Sequence, residues 1–279
     1  MKKTLPAKSD SGLVIACAQM RIGEDSHENA SRMVQMMKKA AKKGARLIHF
    51  PEGALSGYVK SQISDWSSFN WEMLDRELQR IRVAAAKTGI WVVFGSAFRL
   101  PFPYRPYNSI YAIDSSGNLR ARYDKRLISN SELKCWFTPG EAPVTVSIDG
   151  WKVGLATCIE INFPELFMEY AGLGTDVILC SSYSDNPVFQ NLACAHATFT
   201  CNWFSFSVPA NAAQTAGSLI AGPDGRIVKK GRVGAQSLII CRLDKNDEQY
   251  QVPLNRARPW RQKVRAKGFY DPFKYKISQ

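Results

Sequence analysis

Long hydrophobic runs are missing from this 279-residue chain. No stretch approaches the ~20 apolar residues that cross a bilayer, so a soluble protein with no membrane partner is expected. Paired cysteines are missing as well. The seven present, at positions 17, 135, 158, 180, 194, 201 and 241, are odd in number, scattered, and mostly inside apolar runs. That pattern excludes a disulfide framework and a paired CxxC zinc site, and it fits a reducing compartment, with the cytoplasm as the expected location. The basic N-terminus is interrupted by Pro6, Lys8 and Asp10, and residues 13–18 are too short for the apolar part of a secretion signal, so secretion is not expected. There is no internal repeat and no linker that would split the chain in two. A hydrophobic content of 45% with 22% charged residues excludes a disordered chain.

What the chain has in excess is positive charge, +13 in all. More than half sits in residues 251–279, where eight Lys or Arg face one acid, Asp271. Trp260, Phe269, Tyr270, Phe273 and Tyr275 are interleaved with those charges, a composition that suits a single-strand nucleic-acid surface. It suits equally a tail packed on the domain or on a neighbouring subunit. No DNA- or RNA-binding motif accompanies the charge, so packing is preferred and nucleic acid is not the expected partner. The expected division is a flexible N-terminus over 1–11, one folded domain over 12–245, and a basic aromatic extension over 246–279.

The periodicities predict an alternating α/β chain with mixed sheets. Residues 13–19 read as a buried strand. Ser26 then caps a helix whose Met33, Met36, Met37, Ala40 and Ala41 share one face, opposite Lys38, Lys39, Lys42 and Lys43, and which ends at Gly44. A strand over 46–50, a helix over 71–87 and a strand over 90–97 follow. Hairpins are predicted over 107–123 and 144–157, the stretch from Ser131 to Gly140 between them reads as a loop, and further helices are expected over 166–173 and 189–202.

Three strand ends carry residues able to do chemistry. Glu52 leaves the second strand, Lys125 leaves the first hairpin, and Cys158 leaves the second. Strand C-termini opening into loops are where α/β proteins tend to place reacting groups. Each residue also has a plain reading: a loop acid, a solvated lysine, a buried strand cysteine. Pro164 and Glu165 read as the first turn of a helix, which puts Cys158 in a strand-to-helix elbow whose free N–H groups and dipole favour the thiolate.

Taken together, Phe50-Pro51-Glu52, Tyr123-Asp124-Lys125 and Cys158-Ile159-Glu160-Ile161-Asn162-Phe163-Pro164-Glu165 resemble the nitrilase superfamily of carbon-nitrogen hydrolases. The resemblance runs from about Leu13 to Asp244 and includes Tyr107-Asn108, Phe137-Thr138-Pro139-Gly140, Asn211 and Gly217-Ser218. It implies a four-layer α-β-β-α sandwich that assembles as a homodimer or larger homo-oligomer. It implies further that Glu52 is the general base, that Cys158 is the nucleophile forming a thioester, and that Lys125 and the Ile159 N–H stabilise the tetrahedral oxygen, with no cofactor and no metal. Glu160 and Glu165 become acids that fix the elbow, and Tyr58 and Glu132 become supporting or substrate-positioning groups. Two features depart from the family pattern. Glu132, the counterpart of a second active-site glutamate, lies one residue further from the Phe137–Gly140 turn than that pattern has it. His196-Ala197 and Phe199-Thr200 stand where Arg-Ala and Glu-Asn are usual, which makes His196 a structural or pocket-wall residue.

The implied substrate is a small amide or N-carbamoyl compound, hydrolysed with release of ammonia. The alternatives are a nitrilase using the same triad and, from another class, a basic nucleic-acid-binding protein on an inactive hydrolase scaffold.

Overall fold

Apolar runs of strand length, separated by amphipathic helices, fold into two sheets with helices outside. The structure is a computed structural model and describes residues 12–266. The expected flexible residues 1–11, and Phe269, Tyr270, Phe273 and Tyr275 of the extension, lie outside the described residues. The strands are β1 (Leu13–Gln19), β2 (Leu47–His49), β3 (Trp91–Phe98), β4 (Tyr107–Ile113), β5 (Leu119–Asp124), β6 (Thr145–Ile148), β7 (Trp151–Thr157), β8 (Val177–Ser181), β9 (Trp203–Ser207), β10 (Leu219–Ala221), β11 (Ile227–Lys230) and β12 (Ser237–Leu243). The helices are α1 (Ser26–Lys42), α2 (Trp71–Thr88), α3 (Asn130–Cys135), α4 (Pro164–Gly172), α5 (Val188–Thr200) and α6 (Arg258–Ala266).

One sheet has the order β12-β1-β2-β3-β4-β5 and the other β11-β10-β9-β8-β7-β6. Both are mixed. β1 runs parallel to β2 and antiparallel to β12, and β7, β8 and β9 are mutually parallel beside the antiparallel β6. Three apolar clusters fill the three spaces between four layers. Met33, Met37, Ile81 and Phe94 join α1 and α2 to the first sheet, Ile15, Val93, Leu155 and Trp203 lie between the sheets, and Phe167, Ala193 and Phe204 join α4 and α5 to the second. This is the four-layer α-β-β-α sandwich. Strands covered on both faces cannot alternate polar with apolar, which is why they read as continuous runs.

Two local expectations are corrected, and two others gain detail. Asp25, not Ser26, caps α1, because its carboxylate accepts from the His27 N–H while Ser26 is already helical. The predicted loop before Pro139-Gly140 holds α3, whose start is fixed by a capping box between Ser129 and Glu132. Cys158 is followed by a 3-10 turn, Cys158–Asn162, before α4 begins at Pro164. The start of the extension packs on its own domain. Arg258 pairs with Asp176 at 3.3 Å, and Arg261 and Arg265 donate to the last carbonyls of α5 at Thr198 and Phe199. Those carbonyls are the negative end of the helix dipole, a natural seat for guanidinium groups. Among the described residues no helix is long and apolar enough to cross a membrane.

Candidate active site

β2, β5 and β7 end at one edge of the space between the sheets, and the residues that leave them meet there. Glu52 sits in the turn after β2. Gly95 on β3 lets that turn lie against the sheet, since a side chain there would stand 2.6 Å from Glu52 Cα. The Gly95 N–H donates to Pro51 O and the Leu55 N–H to Gly95 O, so the turn is stitched to β3 on both sides. Asn108 on β4 donates to Glu52 Oε1 at 2.7 Å, and its carbonyl accepts from the Lys125 N–H at 2.8 Å. The Lys125 carbonyl in turn accepts from Gly140, which ties the Pro139-Gly140 turn to the same place.

Lys125 is the hub. Its ammonium donates to Glu52 Oε1 at 3.1 Å and to both Glu132 oxygens at 3.1 and 3.0 Å, and all three side chains are at most 1% exposed. The α3 helix accounts for the reach of Glu132 despite its offset in sequence. At the third position of a capping box the carboxylate turns back toward the helix start, where Ser129 holds it, and Tyr58 donates to it at 3.2 Å.

The charges do not balance. Two carboxylates share one ammonium, and water is too distant to screen them. Burial raises the Glu52 pKa, and although Lys125 and Asn108 pull it down, the Glu132 charge helps keep it above the usual carboxylate range. For Glu132, burial acts upward but the Lys125 ammonium outweighs it, and the pKa falls. Burial works against the charge on Lys125, yet Glu52, Cys158 and Glu132 together hold the ammonium above the ordinary lysine range. The pair therefore divides its roles: Glu132 is the fixed counter-ion and Glu52 the carboxyl that titrates. Glu52 Oε2 is buried and has no hydrogen-bond partner among the described residues.

Cys158 opens the 3-10 turn with φ of +48°, a left-handed conformation that costs a non-glycine residue roughly 1–2 kcal/mol and occurs at sites where the surroundings enforce it. Burial outweighs the pull of the elbow toward the thiolate. Burial and the Glu52 charge push the thiol up to about 12, outweighing Lys125, the Ser182 side chain and the Tyr183 backbone. A sulfur in this setting is protonated at rest and needs a base.

The elbow is held by Glu160, which is fully buried. Its Oε1 accepts from Tyr123 at 2.6 Å and from the Arg126 and Leu127 N–H groups at 2.8 and 3.1 Å, and its Oε2 accepts from the Thr157 N–H at 2.7 Å. One carboxylate thus joins the exits of β5 and β7. Glu165, expected to share that role, is exposed on the first turn of α4 and is corrected: Pro164 redirects the chain so that its side chain leaves the elbow. Ile159, second in the turn, is partly buried. His196 stacks on Phe167 at 3.9 Å between ring centroids and hydrogen-bonds the Ile161 carbonyl at 2.8 Å, bracing the turn from α5.

Sequence reasoning missed Tyr183. It stacks on Tyr58 with centroids 4.5 Å apart and planes 12° apart, and its hydroxyl accepts from Gln62 and Asn211, each at 3.0 Å. Ser181-Ser182-Tyr183 leaves β8 at the same edge as Cys158 leaves β7, so the strand-exit argument applied to Glu52 and Lys125 would have found it.

The model of the carbon-nitrogen hydrolase family matches residues 14–250. Among curated proteins, a hydrolase of Mycobacterium tuberculosis is 27% identical over 81% of this chain and 87% of its own length. The chloroplastic omega-amidase of Arabidopsis thaliana is 26% identical over 91% of this chain and 74% of its own. Among solved structures, an amidase from Nesterenkonia sp. AN1 superposes with a TM-score of 0.76 at 24% identity, covering 89% of this chain and 99% of that one. A mutant of that amidase was solved in complex with butyramide, and another carries acrylamide added at its active-site cysteine.

Proposed function

The chain belongs to the carbon-nitrogen hydrolase family, and from that premise we propose that it hydrolyses small amides through Cys158, Glu52 and Lys125, releasing ammonia. One observation carries the reading. Glu52, a buried carboxyl with a raised pKa, keeps one oxygen without a partner beside a cysteine whose thiol is protonated at rest.

Glu52 takes the proton of Cys158 as the sulfur attacks the amide carbon. The carbonyl oxygen becomes an oxyanion, received by Lys125 and the Ile159 N–H. Glu52 then passes the proton to the amide nitrogen, the C–N bond breaks, ammonia leaves, and a thioester remains on Cys158. Next, Glu52 draws a proton from water as the water oxygen bonds to the acyl carbon; the C–S bond then breaks, the carboxylic acid leaves, and Glu52 returns the proton to the Cys158 sulfur. Glu132 holds the Lys125 ammonium, and Tyr58 donates to Glu132. Cys158 is 8% exposed and the three charged groups at most 1%, which favours a small acyl group.

The test is intact mass. After incubation with small aliphatic amides, the chain should gain the mass of the amide less ammonia, and Cys158→Ala should gain nothing. Adduct on Cys135 or Cys180 instead would overturn the assignment. A parallel panel of nitriles decides between amide and nitrile as substrate, read by ammonia release.

A further inference from the structure

A cavity lies on the opposite face of β3 from the space between the sheets, beneath α2. Its volume is about 280 Å³, and Leu55, Leu74, Leu78, Phe98 and Tyr111 make most of its wall. Three polar residues interrupt that apolar lining: Ser96, Asp75 and Arg99. Along β3, Val92 and Phe94 face the helices whereas Val93 faces the other sheet, so Ser96 shares the helix-facing side. Ser96 is 3% exposed, and its hydroxyl has no hydrogen-bond partner among the described residues. Buried hydroxyls nearly always have one, so this group points to a ligand. Asp75 and Arg99 are exposed and sit at the rim, and neither has an ion-pair partner among the described residues. Arg99 lies over the Trp71 ring at 5.8 Å, which orients its guanidinium.

We propose that this cavity binds a free α-amino acid with an aliphatic or aromatic side chain. A lone carboxylate would suit Arg99 but meet Asp75, and a lone amine would suit Asp75 but meet Arg99. A zwitterion satisfies both. Its side chain occupies the leucine-lined interior, and the Ser96 hydroxyl, able to donate or accept, supplies the third polar contact. The site reaches the reaction centre through neighbouring residues. Leu55 belongs to the Glu52 turn, the Ala97 N–H donates to Ser56 Oγ at 3.1 Å, and Gly95 touches the Glu52 backbone, so an occupant presses on the segment that carries the general base.

Calorimetry tests this on the full chain carrying Cys158→Ala, so that turnover contributes no heat. L-leucine and L-phenylalanine should each titrate a single saturable site. Arg99→Ala and Asp75→Ala change exposed residues and leave the fold intact, and each should weaken binding by about tenfold or more, the loss of one charge-assisted hydrogen bond. Leu78→Trp, which fills the cavity, should abolish it. Isocaproate and isoamylamine, each carrying one of the two charges, should bind more weakly than leucine by a similar factor. No heat with either amino acid, affinity unchanged in the charge variants, or isocaproate binding as tightly as leucine would each overturn the proposal. A calorimetric blank leaves the mass adduct on Cys158 untouched, and a missing adduct leaves the calorimetry untouched, so the two readings fail separately.

Discussion

Glu52 and Glu160 are both carboxyls with no solvent exposure, both have raised pKa values with burial as the first cause, and both sit at strand exits on the same edge. They differ in how their oxygens are used. Glu160 accepts four hydrogen bonds across its two oxygens, three of them from backbone N–H groups, whereas Glu52 has one oxygen fully engaged and the other free of partners. A carboxylate whose lone pairs are all occupied fixes the chain around it. One with a bare oxygen in a dry site can take a proton, and the structure tolerates the cost only because Lys125 and Asn108 hold its other half.

Substitution separates the two roles, and the largest effect should come from Glu52. Glu52→Gln should lower kcat on a small amide by about 10²–10⁴-fold, the usual worth of a general base. The thermal midpoint should not fall, because the change removes the unbalanced charge and leaves Lys125 paired with Glu132. A variant that loses stability along with activity would place Glu52 with Glu160 as a structural acid.

Lys125→Met comes next. Losing the cation should cost about 10²–10³ in kcat. Unlike Glu52→Gln, it should also cost about 3–5 kcal/mol in urea unfolding, because two buried carboxyls are left without their shared cation. Activity should depend on pH through Glu52 in one direction. The base works only when ionised, and its pKa is raised, so kcat/KM should fall as pH drops, at a pH above the ordinary carboxylate range. Glu132 has a lowered pKa. Its contribution to stability is present above its unfolded value and is lost only as pH falls through the lower folded value, so activity should disappear before the fold does. A pH–rate profile beside a pH–stability profile checks the order.

Glu160→Gln should show the reverse of Glu52→Gln. Its amide NH₂ cannot accept, so at least one of four donors is stranded, at about 1–3 kcal/mol of stability. kcat should fall less than in Glu52→Gln, through a loosened elbow. The smallest effect belongs to His196→Phe, which keeps the stack on Phe167 and loses only the bond to Ile161, about 1 kcal/mol in urea unfolding with activity retained.

Much of this was legible in the chain. The runs at 13–19, 107–113 and 151–157 declare strands covered on both faces, and the methionine stripe of α1 declares its buried side. Glu52, Lys125 and Cys158 stand out because each ends a strand. Less legible were the features made by contact between distant segments. Residues 131–135 have no apolar periodicity to mark α3, since its start is fixed by Ser129 and its one buried side chain, Glu132, is charged. Tyr183 carries no local sign of pairing with Tyr58, 125 positions earlier. The resting ionisation of Cys158 is not legible in the elbow alone, which offers only dipole and N–H groups, while burial and a neighbouring carboxylate act from elsewhere in the fold.

The sequence by itself determined the alternation of strands and helices, the identities of the three strand-end residues and the family they belong to. These follow from short-range facts: periodicity, turn residues and motif spacing. Only the tertiary structure decided which carboxyl is held and which is left poised, that one lysine serves two acids, and that the sulfur waits as a thiol. Those properties depend on dielectric, distance and unfilled lone pairs, which come into being when segments far apart in the chain exclude water from the same place.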